Sequence, residues 1–230
     1  MTDIRQNLLA IQAQVRETAL GCGRNPDEVR LIGVSKKKSV ELVTAAIEAG
    51  ATDLGENYIQ EATAKIDDIG RDRACWHFIG HLQSNKARFA VPYFDLIHTV
   101  DKVKLAKEIN KQAAKYGKRQ QILLQVNIGE EDTKSGATVG DAVALALDVT
   151  EFPNLELKGL MCMPPFFDDP EDARPYFRHL VKIRDEIVRA GVPAENMAEL
   201  SMGMSNDFKV AIEEGATLVR VGTAIFGSRY

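Results

Sequence analysis

The chain has little cysteine: Cys22, Cys75 and Cys162, odd in number and widely spaced among 230 residues. Such usage excludes a disulfide framework and a cysteine-built zinc site, and suits the reduced thiols of the cytoplasm. Positive charge is not in excess either. The net charge is −4, which gives no general basic footprint for nucleic acid. No apolar run is as long as a membrane span, and the opening Met1-Thr2-Asp3-Ile4-Arg5-Gln6-Asn7 lacks the charged-then-apolar order of a signal peptide. No linker rich in glycine, serine or proline interrupts the chain, and no short-period repeat is visible. These absences predict a cytoplasmic protein of one domain, residues 1–230, with no membrane or nucleic-acid partner.

What is present is 45% hydrophobic residues, enough to bury a full core, arranged as short β-branched runs alternating with longer helical segments. An amphipathic helix opens the chain over about Asp3 to Leu20, with Ile4, Leu8, Ile11 and Val15 at helical spacing. Eight strands follow: Val29 to Ser35, Asp53 to Gly55, Cys75 to Gly80, Leu96 to Thr99, Gln121 to Asn127, Leu157 to Cys162, Glu199 to Met202, and a last run from Thr217. Helical segments separate them. The first runs from Ser39, a plausible N-cap, to Ala49, with Gly50 as its stop. The others cover Glu56 to Ile69, Ser84 to Ala90, Lys102 to Tyr116, Val139 to Thr150, Ala173 to Ala190 and Asn206 to Glu214. Each strand but the last leads into helix. This order predicts an α/β fold, a closed (β/α)8 TIM barrel with an extra N-terminal helix; an open doubly wound sheet is the alternative.

Three strand ends carry chemistry. In such a barrel the loops after the seventh and eighth strands commonly hold phosphate. Here they read Leu200-Ser201-Met202-Gly203-Met204-Ser205 and Arg220-Val221-Gly222-Thr223. Ser201, Gly203, Gly222 and Thr223 can aim N–H and hydroxyl donors at one anion, although each alone reads as a turn residue. The first strand, beside the eighth once the barrel closes, delivers Lys36. Lys36-Lys37-Lys38 is a charge run of the kind usually solvated, but alternation puts Ile32, Val34 and Lys36 on one face. With that face inward, Lys36 caps the interior at the mouth, Lys37 points to the helical layer and Lys38 returns over the mouth. A partly desolvated lysine has a larger neutral fraction, the form that condenses with an aldehyde. Amine and phosphate cradle together point to pyridoxal 5′-phosphate.

Arg220 lies inside the apolar run Leu218-Val219-Arg220-Val221 and needs a partner. Either a carboxylate supplies it, or the arginine donates to the cofactor's pyridine nitrogen. A permanent cation there opposes protonation of the ring and weakens it as an electron sink. Asn57 either contacts the ring or caps its helix. His77, His81 and His98 show no metal-ligand spacing and read as packed or capping histidines. Lys134, in Thr133-Lys134-Ser135-Gly136, reads as a solvated loop lysine within reach of the mouth. The four methionines Met161, Met163, Met202 and Met204 read as core and rim.

These same segments, with Gly55-Glu56-Asn57-Tyr58-Ile59-Gln60-Glu61, Trp76-His77-Phe78-Ile79-Gly80, Leu82-Gln83-Ser84-Asn85-Lys86, Gly159-Leu160-Met161 and Ala224-Ile225-Phe226-Gly227, carry a family likeness over almost the whole chain. The chain resembles the pyridoxal phosphate homeostasis proteins, single-barrel relatives of the alanine racemase N-terminal domain. The resemblance implies a fold-type III barrel with the cofactor on Lys36 as a Schiff base. It also implies phosphate contacts from Ser201 and Gly222-Thr223, and Arg220 at the pyridine nitrogen. Lys37-Lys38-Ser39 departs from the Thr-Lys-Pro of many relatives, which removes a proline from the first helical turn.

Alanine racemase takes its second base, a tyrosine, from a further β-rich domain, for which the sequence leaves no room after Tyr230. Efficient racemisation is therefore not expected. The preferred reading is a protein that buffers or delivers the cofactor, acting on apo-enzymes as recipients and expected to be a monomer. A small pyridoxal-dependent racemase or lyase is the alternative, and a regulatory module with a merely structural cofactor is a third.

Overall fold

Alternation along the first strand decides what the interior receives. In the computed structural model, which describes residues 3–129 and 135–227, β1 (Arg30–Val34) turns Ile32 inward. There it joins Leu96, Leu123, Met161 and Leu218 in a small apolar plug, while Leu31 packs against the outer layer. Seven strands follow among the described residues: β2 (Asp53–Glu56), β3 (Cys75–Phe78), β4 (Leu96–Val100), β5 (Gln120–Val126), β6 (Leu155–Cys162), β7 (Glu199–Ser201) and β8 (Leu218–Val221). All pair in parallel and in chain order, and β8 returns to β1 to close the barrel.

Parallel pairing forces each connection to cross the outside of the sheet, and amphipathic helices do this by burying one face. They are α2 (Val40–Glu48), α3 (Ile59–Ile69), α4 (Ala87–Ala90), α5 (Val103–Lys115), α6 (Ala142–Thr150), α7 (Arg174–Arg189) and α8 (Phe208–Glu213). Between them and the strands lies the main core, with Trp76, Phe78, Phe94 and Phe177 fully buried. The expected N-terminal helix is α1 (Ile4–Gly21), capped by Asp3, whose carboxylate accepts from the Gln6 N–H at 3.0 Å. Its buried stripe of Ile4, Leu8, Ile11 and Val15 packs over α8 and the helical turn Thr223–Phe226, where Asn7 donates to the Ile225 carbonyl at 3.1 Å.

Three boundaries differ from the sequence reading for identifiable reasons. Glu56, expected to open a helix, ends β2 opposite Phe78, because its carboxyl is held by buried partners described below. The eighth strand is followed by a helix after all, the single turn α9 (Thr223–Phe226). β6 begins earlier than Leu157, and its register shifts at Gly159, where φ is +151°. A Cβ at Gly159 would lie 1.8 Å from the Glu199 carbonyl oxygen, so only glycine lets β6 and β7 approach here. Among the described residues no helix is long and apolar enough to cross a membrane.

Candidate functional site at the barrel mouth

The C-terminal ends of the parallel strands share one mouth, and Lys36 stands there, half-buried in the turn after β1. That turn is held from behind. Ser35 faces the helical layer and donates from Oγ to Glu56 Oε1 at 2.6 Å. Lys65, on α3 and only 4% exposed, reaches Glu56 Oε1 at 2.6 Å, the Ser35 carbonyl at 2.8 Å and Glu61 Oε1 at 3.0 Å. Glu61 Oε1 also accepts the Lys37 N–H at 2.5 Å, which fixes Lys37 in a left-handed conformation with φ +58°. Burial pushes the Glu56 carboxyl up, against the pull of Lys65 and Ser35. Lys37 is exposed, its ammonium 5.6 Å from the centre of the Tyr58 ring. Lys38 departs from expectation. Rather than crossing the mouth, its Nζ donates to the carbonyls of Phe226 and Gly227 at 3.2 and 3.0 Å, binding the lysine turn to the C-terminus of α9.

Across the β1–β8 seam lie the residues expected to form the anion cradle. Gly222 abuts β1, and a Cβ there would lie 3.3 Å from the Val34 Cβ and 3.4 Å from its carbonyl oxygen. Thr223, exposed, opens the single-turn α9; the Ile225 and Phe226 N–H groups donate to the Gly222 carbonyl at 3.0 and 2.9 Å, and only those of Thr223 and Ala224 precede the first acceptor of the turn. Gly203 shapes the turn after β7. At φ +89° it packs on Ala211 and Phe208, and its carbonyl accepts the Arg220 N–H at 3.1 Å. Beyond it Ser205 is exposed at the end of the β7 loop. Asn57 follows β2 under Gly80, where a Cβ would meet the Asn57 carbonyl oxygen at 2.2 Å. The Asn57 side chain does not cap α3: its Oδ1 is buried with no hydrogen-bond partner among the described residues.

Ser201 and Arg220 point into the barrel, not outward to the cradle. Arg220, 3% exposed, donates from Nη1 to Ser201 Oγ at 2.5 Å and from Nη2 to the Cys162 carbonyl at 2.9 Å. Among the described residues its hydrogen-bond partners are thus neutral oxygens, which use two of a guanidinium's five N–H donors, while the buried Asp207 carboxylate acts on it through charge. Ser201 Oγ lies 2.9 Å from His98 Nδ1, His98 Nε2 lies 2.9 Å from His77 Nδ1, and His77 Nε2 lies 3.0 Å from Asp53 Oδ1. The two histidines are fully buried, as packed residues would be, but they also link a chain that their isolated positions did not reveal. The signal was available in the strand period, which turns Asp53, His77, His98, Ser201 and Arg220 inward on five strands.

Burial pushes the His98 imidazole well below its ordinary value of 6.5, and the neighbouring charges of His77, Arg220 and Arg30 add to the effect. The folded protein therefore keeps His98 neutral where the unfolded chain protonates it. The unfolded state then binds the extra proton, so stability falls as pH drops below about 6.5, by up to about 1.4 kcal/mol per pH unit from this residue. Buried Glu56 and Asp207, whose carboxyls are raised, act in the opposite sense at more acidic pH. Urea denaturation from pH 7.5 to 5 should show the fall in the wild type and a shallower one in His98→Gln; parallel curves would contradict it.

Asp53, Cys75 and His77 bring possible metal-ligand atoms within 4.8 Å of one another. Asp53 already accepts from His77 and Thr52, with the Arg30 guanidinium 3.5 Å away, a setting that repels a cation. Burial, with Asp95 and Asp53, pushes the Cys75 thiol up to about 12, so it offers no thiolate. On the far side of the mouth a cavity of about 510 Å³ is lined by Ile79, His81, Thr99, Gln125, Met163 and Met204. His81 is exposed there and shares a hydrogen with Ser135 Oγ at 3.0 Å. Lys134 lies outside the described residues.

Over residues 6–230 the chain matches the family described as "Alanine racemase, N-terminal domain". It is 42% identical to the pyridoxal phosphate homeostasis protein of Vibrio alginolyticus, over 100% of this chain and 99% of that one. The protein of the same name from Escherichia coli (strain K12) is 40% identical, over 100% and 98%. Among solved structures, PipY of Synechococcus elongatus PCC7942 with PLP bound superposes with a TM-score of 0.86 at 33% identity, covering 97% of this chain and 100% of that one. An alanine racemase from Clostridium difficile 630 shares the fold, with a TM-score of 0.74 at 16% identity, over 99% of this chain but 57% of the racemase. Closed barrel and full-length match together define a member of the alanine racemase N-terminal domain family. Within it, the chain belongs to the pyridoxal phosphate homeostasis proteins.

Proposed function

We propose that this protein binds pyridoxal 5′-phosphate on Lys36 as a Schiff base and takes part in the cell's handling of that vitamer by holding and releasing it, without efficient catalysis. The observation that carries this reading is the seam between β1 and β8, where half-buried Lys36 lies in the turn after β1 and Gly222, packed against Val34 of β1, opens a helical turn with an exposed threonine. The residues fit the group: an amine for the aldehyde, N–H groups of Gly222 and Thr223 with the Thr223 hydroxyl for the phosphate, and an orphaned Asn57 oxygen beside the mouth. Ser205, exposed on the β7 loop, is placed to add a hydroxyl, while Ser201 is committed to Arg220. The names of the relatives and the PLP-bound PipY structure support the same cofactor.

When bound, pyridoxal phosphate supplies an electrophilic aldehyde and a ring that can draw electrons from an amino acid. Arg220 limits the second property. Held by neutral oxygens, it would hold a positive charge beside the ring nitrogen, where protonation would have to occur. Holding and releasing the vitamer requires only condensation with the amine, which expels water, and its reversal by water at an open mouth.

The loaded protein incubated with a panel of L- and D-amino acids is expected to show no turnover at enzyme-like rates, and to restore activity to a vitamer-dependent apo-enzyme. Rapid racemisation or elimination that disappears in Lys36→Ala would replace this reading with that of a small racemase or lyase, for which the 510 Å³ cavity would be the substrate pocket.

A further inference from the structure

Five polar side chains cross the barrel in an unbroken line, from Asp53 at the start of β2, through His77 and His98, to Ser201 and Arg220. Each end of the line has a fixed hydrogen-bonding sense. Arg220 can only donate, so Ser201 Oγ must accept from it. At the other end Asp53 is a carboxylate that also accepts from Thr52 Oγ1 at 2.8 Å and pairs with Arg30, so it must accept from His77 Nε2–H. Between these ends, neutral histidines leave one arrangement that satisfies every atom. His77 Nδ1 accepts from His98 Nε2–H, and His98 Nδ1 accepts from the Ser201 hydroxyl. All the protons then point one way, from Arg220 toward Asp53.

We propose that Asp53, His77 and His98 are positioning residues for the vitamer site: they fix the hydroxyl of Ser201 toward His98, so that its oxygen holds the Arg220 guanidinium in place for the ring nitrogen. This rests on the preceding reading for what Arg220 faces, but the direction of the chain does not. The far end has its own surroundings. Arg30, Thr52 and Asp53 border a cavity of about 430 Å³ under α1, and Arg30 is tied to Glu199 at 2.7 Å. The N-terminal rim of the barrel is thereby coupled to the mouth through hydrogen bonds alone. A second consequence follows for Ser201, whose one proton is spent on His98 and is unavailable to a phosphate.

Histidine-selective nitrogen-15 NMR of the vitamer-free protein at mildly alkaline pH reads the chain directly. His77 and His98 should both be protonated at Nε2 and bare at Nδ1. His98 protonated at Nδ1, or either ring exchanging between tautomers, would overturn the proposal. Two folded variants give the second arm. His98→Gln can accept from Ser201 and donate to His77 together, and should keep the wild-type affinity for pyridoxal phosphate and the pH profile of its absorption. His98→Leu, similar in bulk, should lose about tenfold in affinity and shift that profile. Identical behaviour of the two variants would leave His98 a packing residue and overturn the proposal; if His98→Leu does not fold, the NMR pattern decides. Failure of the wild type to bind the vitamer at all would remove the proposed function while the tautomer result still stood or fell separately.

Discussion

Lys65→Met is expected to lower the unfolding free energy by about 3–5 kcal/mol, a large share of the ~5–15 kcal/mol that holds an ordinary domain together. Lys65 is almost fully buried and faces two carboxylates and a carbonyl at hydrogen-bond distance. Methionine replaces the stem but leaves Glu56, with no exposure of its own, beside an apolar group. The carboxylate must then protonate or draw water into the barrel wall, and either costs free energy. Glu56→Gln combined with Lys65→Met should recover part of the loss, because no buried charge is left unpaired. Equilibrium urea denaturation of the four proteins in this cycle measures the coupling. A single variant within about 0.5 kcal/mol of wild type would show that the pair does not hold the wall behind Lys36.

Lys36→Ala should weaken retention of pyridoxal phosphate by about 100-fold or more, while Lys37→Ala leaves it within about twofold. The contrast follows from direction. Lys36 follows Ile32 and Val34 in the strand alternation and is half-buried, whereas Lys37 is exposed, turned by its left-handed backbone toward Tyr58. Removing Lys36 leaves the cradle at Gly222 and Thr223 intact, so weak non-covalent binding should persist. Lys38→Ala should act differently, loosening the end of α9 through the loss of its two carbonyl contacts. Equilibrium dialysis with the vitamer separates the three. Equal loss from Lys36→Ala and Lys37→Ala would mean that charge at the turn, and not one amine, governs binding.

The barrel was legible because its signals are local. Alternation in β1, a serine cap at Ser39 whose oxygen accepts from the Leu42 N–H at 3.5 Å, and glycine stops repeat along the chain and need no long-range knowledge. The inward course of Ile32 and the need of Arg220 for partners were readable in the same way. Which partners Arg220 takes was not, since that depends on how β6, β7 and β8 register against one another. The same limit hid the destination of Lys38, which reaches residues 188 and 189 positions away. Glu56 was misread as helical because its propensity speaks for helix, whereas Ser35 and Lys65 hold it in a strand. For the site, the sequence placed Lys36, Ser201, Gly222 and Thr223 together at neighbouring strand ends; it could not show that Ser201 belongs to a line of polar groups inside.

Reduction of the vitamer-loaded protein with borohydride, followed by peptide mass mapping, tests the central claim most directly. The reduced bond should mark one lysine, Lys36, in a single stoichiometric adduct. Label concentrated on Lys37, Lys86 or another surface lysine, or no stable adduct at all, would contradict it.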